Sequence, residues 1–254
     1  MGCDVPKLSK MKKELIKLKK RELNFHHPHI TFRLNEKLDK TITLEFFING
    51  EKAGFDFKKE IITLHPVTKK FNQLGSKGKL KLAIDDFVTD FYKKNNGKLI
   101  DARSKFQKIW NLVEDDFFKK TNNIFDNLDW PEGKYIGYIS MLPIGARFLQ
   151  DKTFQSCWLW KKNLKAQVIH ELLHFQFYHL VEKITGKNQE ENEKIWKLSE
   201  IFNDIVQRED EFIKLQGYAP KVGYPEHKNE HNRYLKIWQK KMKARSFIKE
   251  TLKK

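Results

Sequence analysis

Cysteine is almost missing from this chain: Cys3 and Cys157 are the only two in 254 residues. Two thiols cannot frame a disulfide-stapled secreted domain, and a reducing cytoplasm is the simplest home for such a composition. Long apolar runs are missing too. No stretch of about 18 apolar residues occurs, so no membrane span is expected. The basic N-terminal segment lacks the apolar centre of a signal peptide. Met1-Gly2-Cys3 suits acylation, but Pro6 stands where a myristoylation site takes Ser or Thr. Arginine is scarce: 7 of the 50 basic residues are Arg and 43 are Lys. The net charge of +17 makes nucleic acid or an anionic surface a possible partner. That partner is not favoured, because Arg-led base readout is poorly served and a Lys, Asn, Ile and Phe excess is what AT-rich coding produces. No internal repeat and no low-complexity segment beyond the Lys bias is present.

Aromatic residues, at 13%, argue for a packed core rather than disorder, in a chain long enough for one or two domains. The most informative segment is Val168-Ile169-His170-Glu171-Leu172-Leu173-His174-Phe175. It is an H-E-x-x-H pattern in a run that neither Pro nor Gly interrupts from Trp158 to Thr185, with Gly186 placed as a C-cap. At about 3.6 residues per turn, positions i and i+4 share one helix face. His170 and His174 can therefore grip one cation, with Glu171 beside them to act on a water, the arrangement of zinc hydrolases. Val168, Ile169, Leu172, Leu173, Phe175, Phe177, Leu180 and Val181 make the helix apolar nearly all round, which marks it as buried. Two imidazoles and a carboxyl in such a helix are costly unless something compensates them, and a metal does so directly.

A catalytic zinc takes three protein ligands and keeps one position open. The metzincin pattern would need Gly at 177 and His at 180, where this chain has Phe177 and Leu180, and His179 is out of phase. The next helical segment, about 189–216, carries Leu198-Ser199-Glu200-Ile201-Phe202-Asn203-Asp204-Ile205. Glu200 suits the metal, and Asp204, one turn on, suits the free ring nitrogen of a ligand histidine. Glu200 and Asp204 lie off the centre of the apolar stripe formed by Ile195, Leu198, Ile201, Phe202 and Ile205, so Glu191, Glu193 and Glu209 stay open as rival ligands.

His170-Glu171-x-x-His174 followed by Ser199-Glu200-x-x-x-Asp204 resembles the gluzincins, the thermolysin-like clan of zinc peptidases, and in its compactness their small, minimal members. The resemblance spans about residues 135–216. It implies a Zn2+ held by His170, His174 and Glu200, Glu171 as general base, and Asp204 as outer support. Ser199 stands where the clan often has Asn. It also implies an edge strand beside the zinc on which a peptide or protein substrate adds as a further strand. Gly145-Ala146 is similar to the Gly-Ala of clan aminopeptidases, but Phe148 and Leu149 follow Arg147 where an amine-capturing acid would be needed, which leaves an endopeptidase.

An oxyanion donor is expected as well. Tyr178, one turn past His174, is a candidate, and His231 in the cluster His227, His231, Tyr234 is another.

Along the chain, a Lys-rich helix is predicted over 7–22. Strands follow at Ile30–Leu34, Thr41–Ile48, Lys52–Phe57 and Ile61–Leu64, with an Asn49-Gly50 hairpin turn. His26, His27 and His29 flank this unit in a solvated loop. Helices are predicted at about Lys79–Lys94 and Arg103–Lys120, strands at Lys134–Leu142 and Thr153–Trp160, and a loop at Asp129–Gly133. The predicted architecture is α+β: a small mixed sheet with an edge strand, an active-site helix and a following ligand helix, preceded by a small antiparallel β unit. Residues 1–75 form the N-terminal helix and β unit, 76–216 the zincin-like domain, and 217–254 a basic helical extension. Two other readings compete with a zinc metallopeptidase: a DNA-associated regulatory protease held by the basic ends, and a non-catalytic module with a closed zinc site completed by a residue such as His179.

Overall fold

The computed structural model describes residues 27–52, 55–220 and 227–253. His26, Cys3 and the predicted helix over 7–22 lie outside them. The fold is α+β.

A four-stranded sheet is built from β1 (Ile30–Leu34), β4 (Tyr135–Ser140), β6 (Thr153–Cys157) and β5 (Arg147–Phe148), in that order. The first three run parallel, and β5 lies antiparallel to β6 at the edge. The register brings Phe32, Gly137 and Phe154 side by side on one face. A side chain at Gly137 would meet the Phe32 ring at 2.6 Å, so only glycine lets the flanking rings close over the middle strand. The Phe32 ring meets Phe106 and Phe154 edge-on, and Tyr135 meets Phe175 in the same way. Helices therefore cover this face, while Ile136 and Tyr138 on the other face stay half-buried.

The front of the chain differs most from the predicted elements. Thr41–Ile48 is not a strand but the end of helix α1 (Glu36–Ile48). Asn35 caps its first turn by accepting from the Leu38 amide, and the buried residues Asp39, Ile42, Thr43 and Phe47 fall at helical spacing. Packing of that stripe overrides the β preference of Thr and Ile. Asn49 is the C-cap of α1 rather than a hairpin turn, and the antiparallel unit shrinks to β2 (Glu51–Lys52) with β3 (Phe55–Asp56). Ile61–Leu64 lies in helix α2 (Phe57–Leu64), whose first turn Asp56 caps. Ile30–Leu34, expected in the front unit, is instead a strand of the central sheet.

A 3₁₀ segment (Pro66–Gln73) leads to α3 (Lys77–Asn111), one continuous helix where two were predicted. Gly97 does not interrupt it, because Leu99, Ala102 and Phe106 continue the buried stripe of Ile84, Val88 and Tyr92. Helix α4 (Glu114–Ile124) follows. Then come the predicted loop, β4 to β6, and α5 (Leu164–Thr185), which ends on Gly186 with φ 71°. The segment predicted as one ligand helix is two, α6 (Glu193–Val206) and α7 (Asp210–Gln216). The basic C-terminal segment is also two, α8 (Lys228–Lys241) and α9 (Ala244–Leu252), parted at Met242 with φ 47°. Phe202 of α6 packs against Phe177, Phe125, Trp238 and Phe247, which joins the C-terminal pair to the helices of the site. Among the described residues no helix is long and apolar enough to cross a membrane.

Candidate metal centre

Helix α5 is buried on nearly every side, as its composition predicts, so its polar residues need partners inside the protein. They find them on α6. His170 and His174 point their Nε2 atoms at each other across 3.0 Å, with the rings 83° apart. The Glu200 carboxylate closes the triangle, Oε2 to His170 Nε2 at 3.2 Å and Oε1 to His174 Nε2 at 3.3 Å. The two nitrogens stand 3.0 Å apart and each meets one oxygen of the carboxylate at 3.2 or 3.3 Å, distances close to the about 3.3 Å between corners of a tetrahedral site with ligand bonds of about 2.0–2.1 Å. Among the described residues this is the one group of three or more His, Cys, Asp or Glu that could hold a metal ion.

Glu200 and its three rival carboxylates separate cleanly. Glu191 and Glu193 are exposed, and Glu209 accepts from Trp238 Nε1 at 2.8 Å. Only Glu200 meets the histidines. The apolar stripe faces the C-terminal helices, while Glu200, Asn203 and Gln207, at i, i+3 and i+7, form a second polar stripe against α5. Asn203 Nδ2 donates to the His170 carbonyl at 2.9 Å. Gln207 Nε2 donates to the Ala166 carbonyl and to Gln216 Oε1, each at 2.7 Å. That leaves Gln207 Oε1 to accept from His170 Nδ1 at 3.1 Å. The support expected of Asp204 is therefore supplied to His170 by Gln207. Asp204 lies toward His231 instead, where its charge acts on that ring. His174 Nδ1 is buried and has no hydrogen-bond partner.

Glu171 is 4% exposed and its Oε2 has no hydrogen-bond partner. Burial raises its carboxyl to about 7, against the pull of His170 and Arg147. Gly145 makes room for it: a β-carbon there would stand 3.1 Å from Glu171 Oε1 and 3.0 Å from Gln167 Nε2. Burial opposes ionisation of Glu200, but His174 and His170 outweigh it and hold the carboxyl well below its ordinary range. Burial and Arg147 push His174 down to about 3, whereas, against burial, Glu200 lifts His170 to about 9, so the two rings share the charge of Glu200 unequally.

Two further groups border the triangle. Arg147, on the edge strand, sets Nη1 3.4 Å from Glu200 Oε1 and its guanidinium 5.8 Å from the centre of the Tyr178 ring. Tyr178 also tilts against His174, ring to ring at 6.3 Å, and its hydroxyl lies 3.5 Å from Ser199 Oγ. The one Ser199 hydroxyl hydrogen is better placed on the Trp196 carbonyl at 2.7 Å, so Ser199 closes its own helix turn and its oxygen borders Tyr178. Beyond Tyr178 a cleft of about 140 Å³ opens, lined in part by Leu149, Phe175, His179 and Glu182. His179 is thus on that cleft and not in the triangle. His231 is buried on α8 and faces Asp204; burial lowers its pKa despite that charge.

Sequence reasoning thus named His170, Glu171, His174 and Glu200, which come together, and Tyr178 and Ser199, which border them. It missed Gln207, Asn203 and Arg147. The first two were readable as a polar i, i+3, i+7 stripe running from Glu200; Arg147 had no local signal. No family model, no curated protein and no solved structure matches the chain.

Proposed function

We propose that the chain is a zinc-dependent peptidase, hydrolysing peptide bonds with Glu171 as general base. The observation that carries this reading is the convergence of His170, His174 and Glu200 within 3.3 Å of one another beside a buried carboxylate with an unpaired oxygen. Two histidines and one glutamate are the donor set of catalytic rather than structural zinc, which has four protein ligands. A non-catalytic zinc module has no use for Glu171 at this place.

Gln207 fixes His170 in the tautomer with hydrogen on Nδ1, which leaves the Nε2 lone pair facing the triangle. When bound, a zinc ion would supply Lewis acidity, making water acidic and polarising a carbonyl. Glu171, raised toward neutrality by burial, is matched to take a proton from water and return it to a leaving amine. Strand β5 is the outer strand of the sheet and neighbours the triangle through Arg147, so an extended peptide can add along it by main-chain hydrogen bonds. Tyr178 and His231 are the side chains offered as oxyanion donors, and of the two Tyr178 lies against the triangle.

The test measures zinc content by mass spectrometry in wild type, Glu171→Gln and Glu200→Ala, with cleavage of a mixed peptide library alongside. One zinc per chain in wild type and Glu171→Gln, lost in Glu200→Ala, and cleavage lost in Glu171→Gln, is the expected result. Wild type that takes up no zinc on reconstitution would overturn the reading.

A further inference from the structure

Of the site's charged groups, solvent reaches only two. The His170 side chain is 26% exposed and Arg147 is 16% exposed, whereas His174 is fully buried and Glu200 is 5% exposed. The solvent-facing border of the triangle is made by His170 and Arg147. The mouth therefore carries a guanidinium, a group with five N–H donors and no acceptor.

That guanidinium is not fully engaged. Its contact with Glu200, 3.4 Å, is longer than the about 2.7–2.9 Å of a strong charge-assisted hydrogen bond. Tyr178 holds it in place through its ring, 5.8 Å from the guanidinium carbon, and through a hydrogen bond to its hydroxyl, which leaves other N–H donors of the five to serve a ligand. Arg147 also sits in the backbone ladder of β5, opposite Phe154, so its Cα position is set by the sheet and not by a loop.

Charge decides what it is there for. With both histidines neutral as metal ligands, Glu171 and Glu200 ionised and Arg147 charged, a site holding a divalent cation carries one net positive charge. The loaded site then lacks a single negative charge, in a pocket where water is largely excluded and a charge imbalance is costly. A cation held by the Glu200 carboxylate would also loosen the one charged acceptor hydrogen-bonded to Arg147.

We infer that Arg147 is the anion-receiving residue of this centre, binding a negatively charged oxygen of the ligand next to the metal position. The inference rests on the metallopeptidase reading above. The oxygen has two possible sources, a carboxylate of the substrate or the oxyanion that develops when water adds to the carbonyl. The shared chemistry is the same, charge-assisted donation from the guanidinium.

The experiment uses the full chain loaded with cobalt(II), whose visible spectrum reports on its ligands. Wild type, Arg147→Gln and Arg147→Lys are titrated with N-acetylglycine, a planar carboxylate, and with methylphosphonate, a tetrahedral anion. Cobalt affinity should stay equal or rise in Arg147→Gln, since a neighbouring positive charge is gone. Anion affinity should fall about tenfold or more in Arg147→Gln, and by less in Arg147→Lys, which keeps the charge but not the fork. A loss confined to methylphosphonate assigns the residue to the oxyanion; a loss for both probes assigns it to a substrate carboxylate. Unchanged affinity for both probes with cobalt bound overturns the inference alone. A fall in cobalt affinity in Arg147→Gln also overturns it, because Arg147 would then serve to position Glu200. Wild type that binds no cobalt removes the metallopeptidase reading and this inference with it.

Discussion

His170 Nδ1 donates to Gln207 Oε1 across 3.1 Å, and the Gln207 amide has no freedom to flip, because its Nε2 is already committed to two acceptors, the Ala166 carbonyl and Gln216 Oε1. The tautomer of a proposed metal ligand is thus set two turns away from the other ligand on the same helix. Gln207→Leu removes the acceptor while keeping the volume close. We expect zinc affinity to fall about 10- to 100-fold in a competition titration with a chelator. Wild-type affinity in that variant would mean that the bond does not organise the centre.

Gly145 tests the base separately from the metal. Alanine there would press on Glu171 Oε1 and Gln167 Nε2, at 3.1 and 3.0 Å, and not on either histidine. Gly145→Ala should therefore keep its zinc and lose peptidase activity by about 10- to 100-fold through displacement of the carboxylate. Parallel loss of zinc would show that the site moves as a block.

Asp39 gives the protein a pH dependence unrelated to the metal. Its carboxylate is 1% exposed and accepts from Tyr92 Oη, Ser140 Oγ, the Met141 amide and Gln155 Nε2. Burial outweighs these four bonds and raises the carboxyl to about 6 from 3.8. A raised carboxyl binds its proton more tightly in the folded state, so the protonated form favours folding and that stability is lost as pH rises through about 4 to 6. Urea unfolding of wild type and Asp39→Asn should show the difference between them move against wild type by on the order of 3 kcal/mol between about pH 3.5 and 7. A difference that stays constant with pH would refute it.

Phe202 links the ligand helix to the C-terminal pair. Its ring meets Phe125, Phe177, Trp238 and Phe247 and is fully buried. Phe202→Ala should lower unfolding stability by about 3–5 kcal/mol in urea titrations. A loss below about 1 kcal/mol would show that α8 and α9 are not anchored through it.

The site was more legible than the front of the fold, for a physical reason. The two-histidine spacing is a local property of one helix, and its apolar surroundings announce burial. Glu200 was readable only against an apolar stripe that points elsewhere, because α6 is buried on two faces and a helical wheel assumes one. Thr41–Ile48 failed as a strand since Ile and Thr report β preference, while the decisive information, Asp39 bonding to Ser140 and Gln155 from other elements, is not local. Arg147 was invisible for the same reason: only the pairing of β5 with β6 carries it to Glu200.

Strand β1 finds its partner late. Ile30 pairs with Tyr135, about a hundred residues of chain away, and loop closure over such a span must precede any reward from the pairing. During synthesis β1 and the first helices emerge well before β4, then the H-E-x-x-H helix, and Glu200 later still. A nascent chain cut off before α6 would display two histidines without their carboxylate, a half-site beside a sheet whose four strands have already emerged. The order of emergence therefore brings the centre together only after every strand of the sheet has emerged, and it ties metal uptake to the arrival of α6 rather than to translation of the motif.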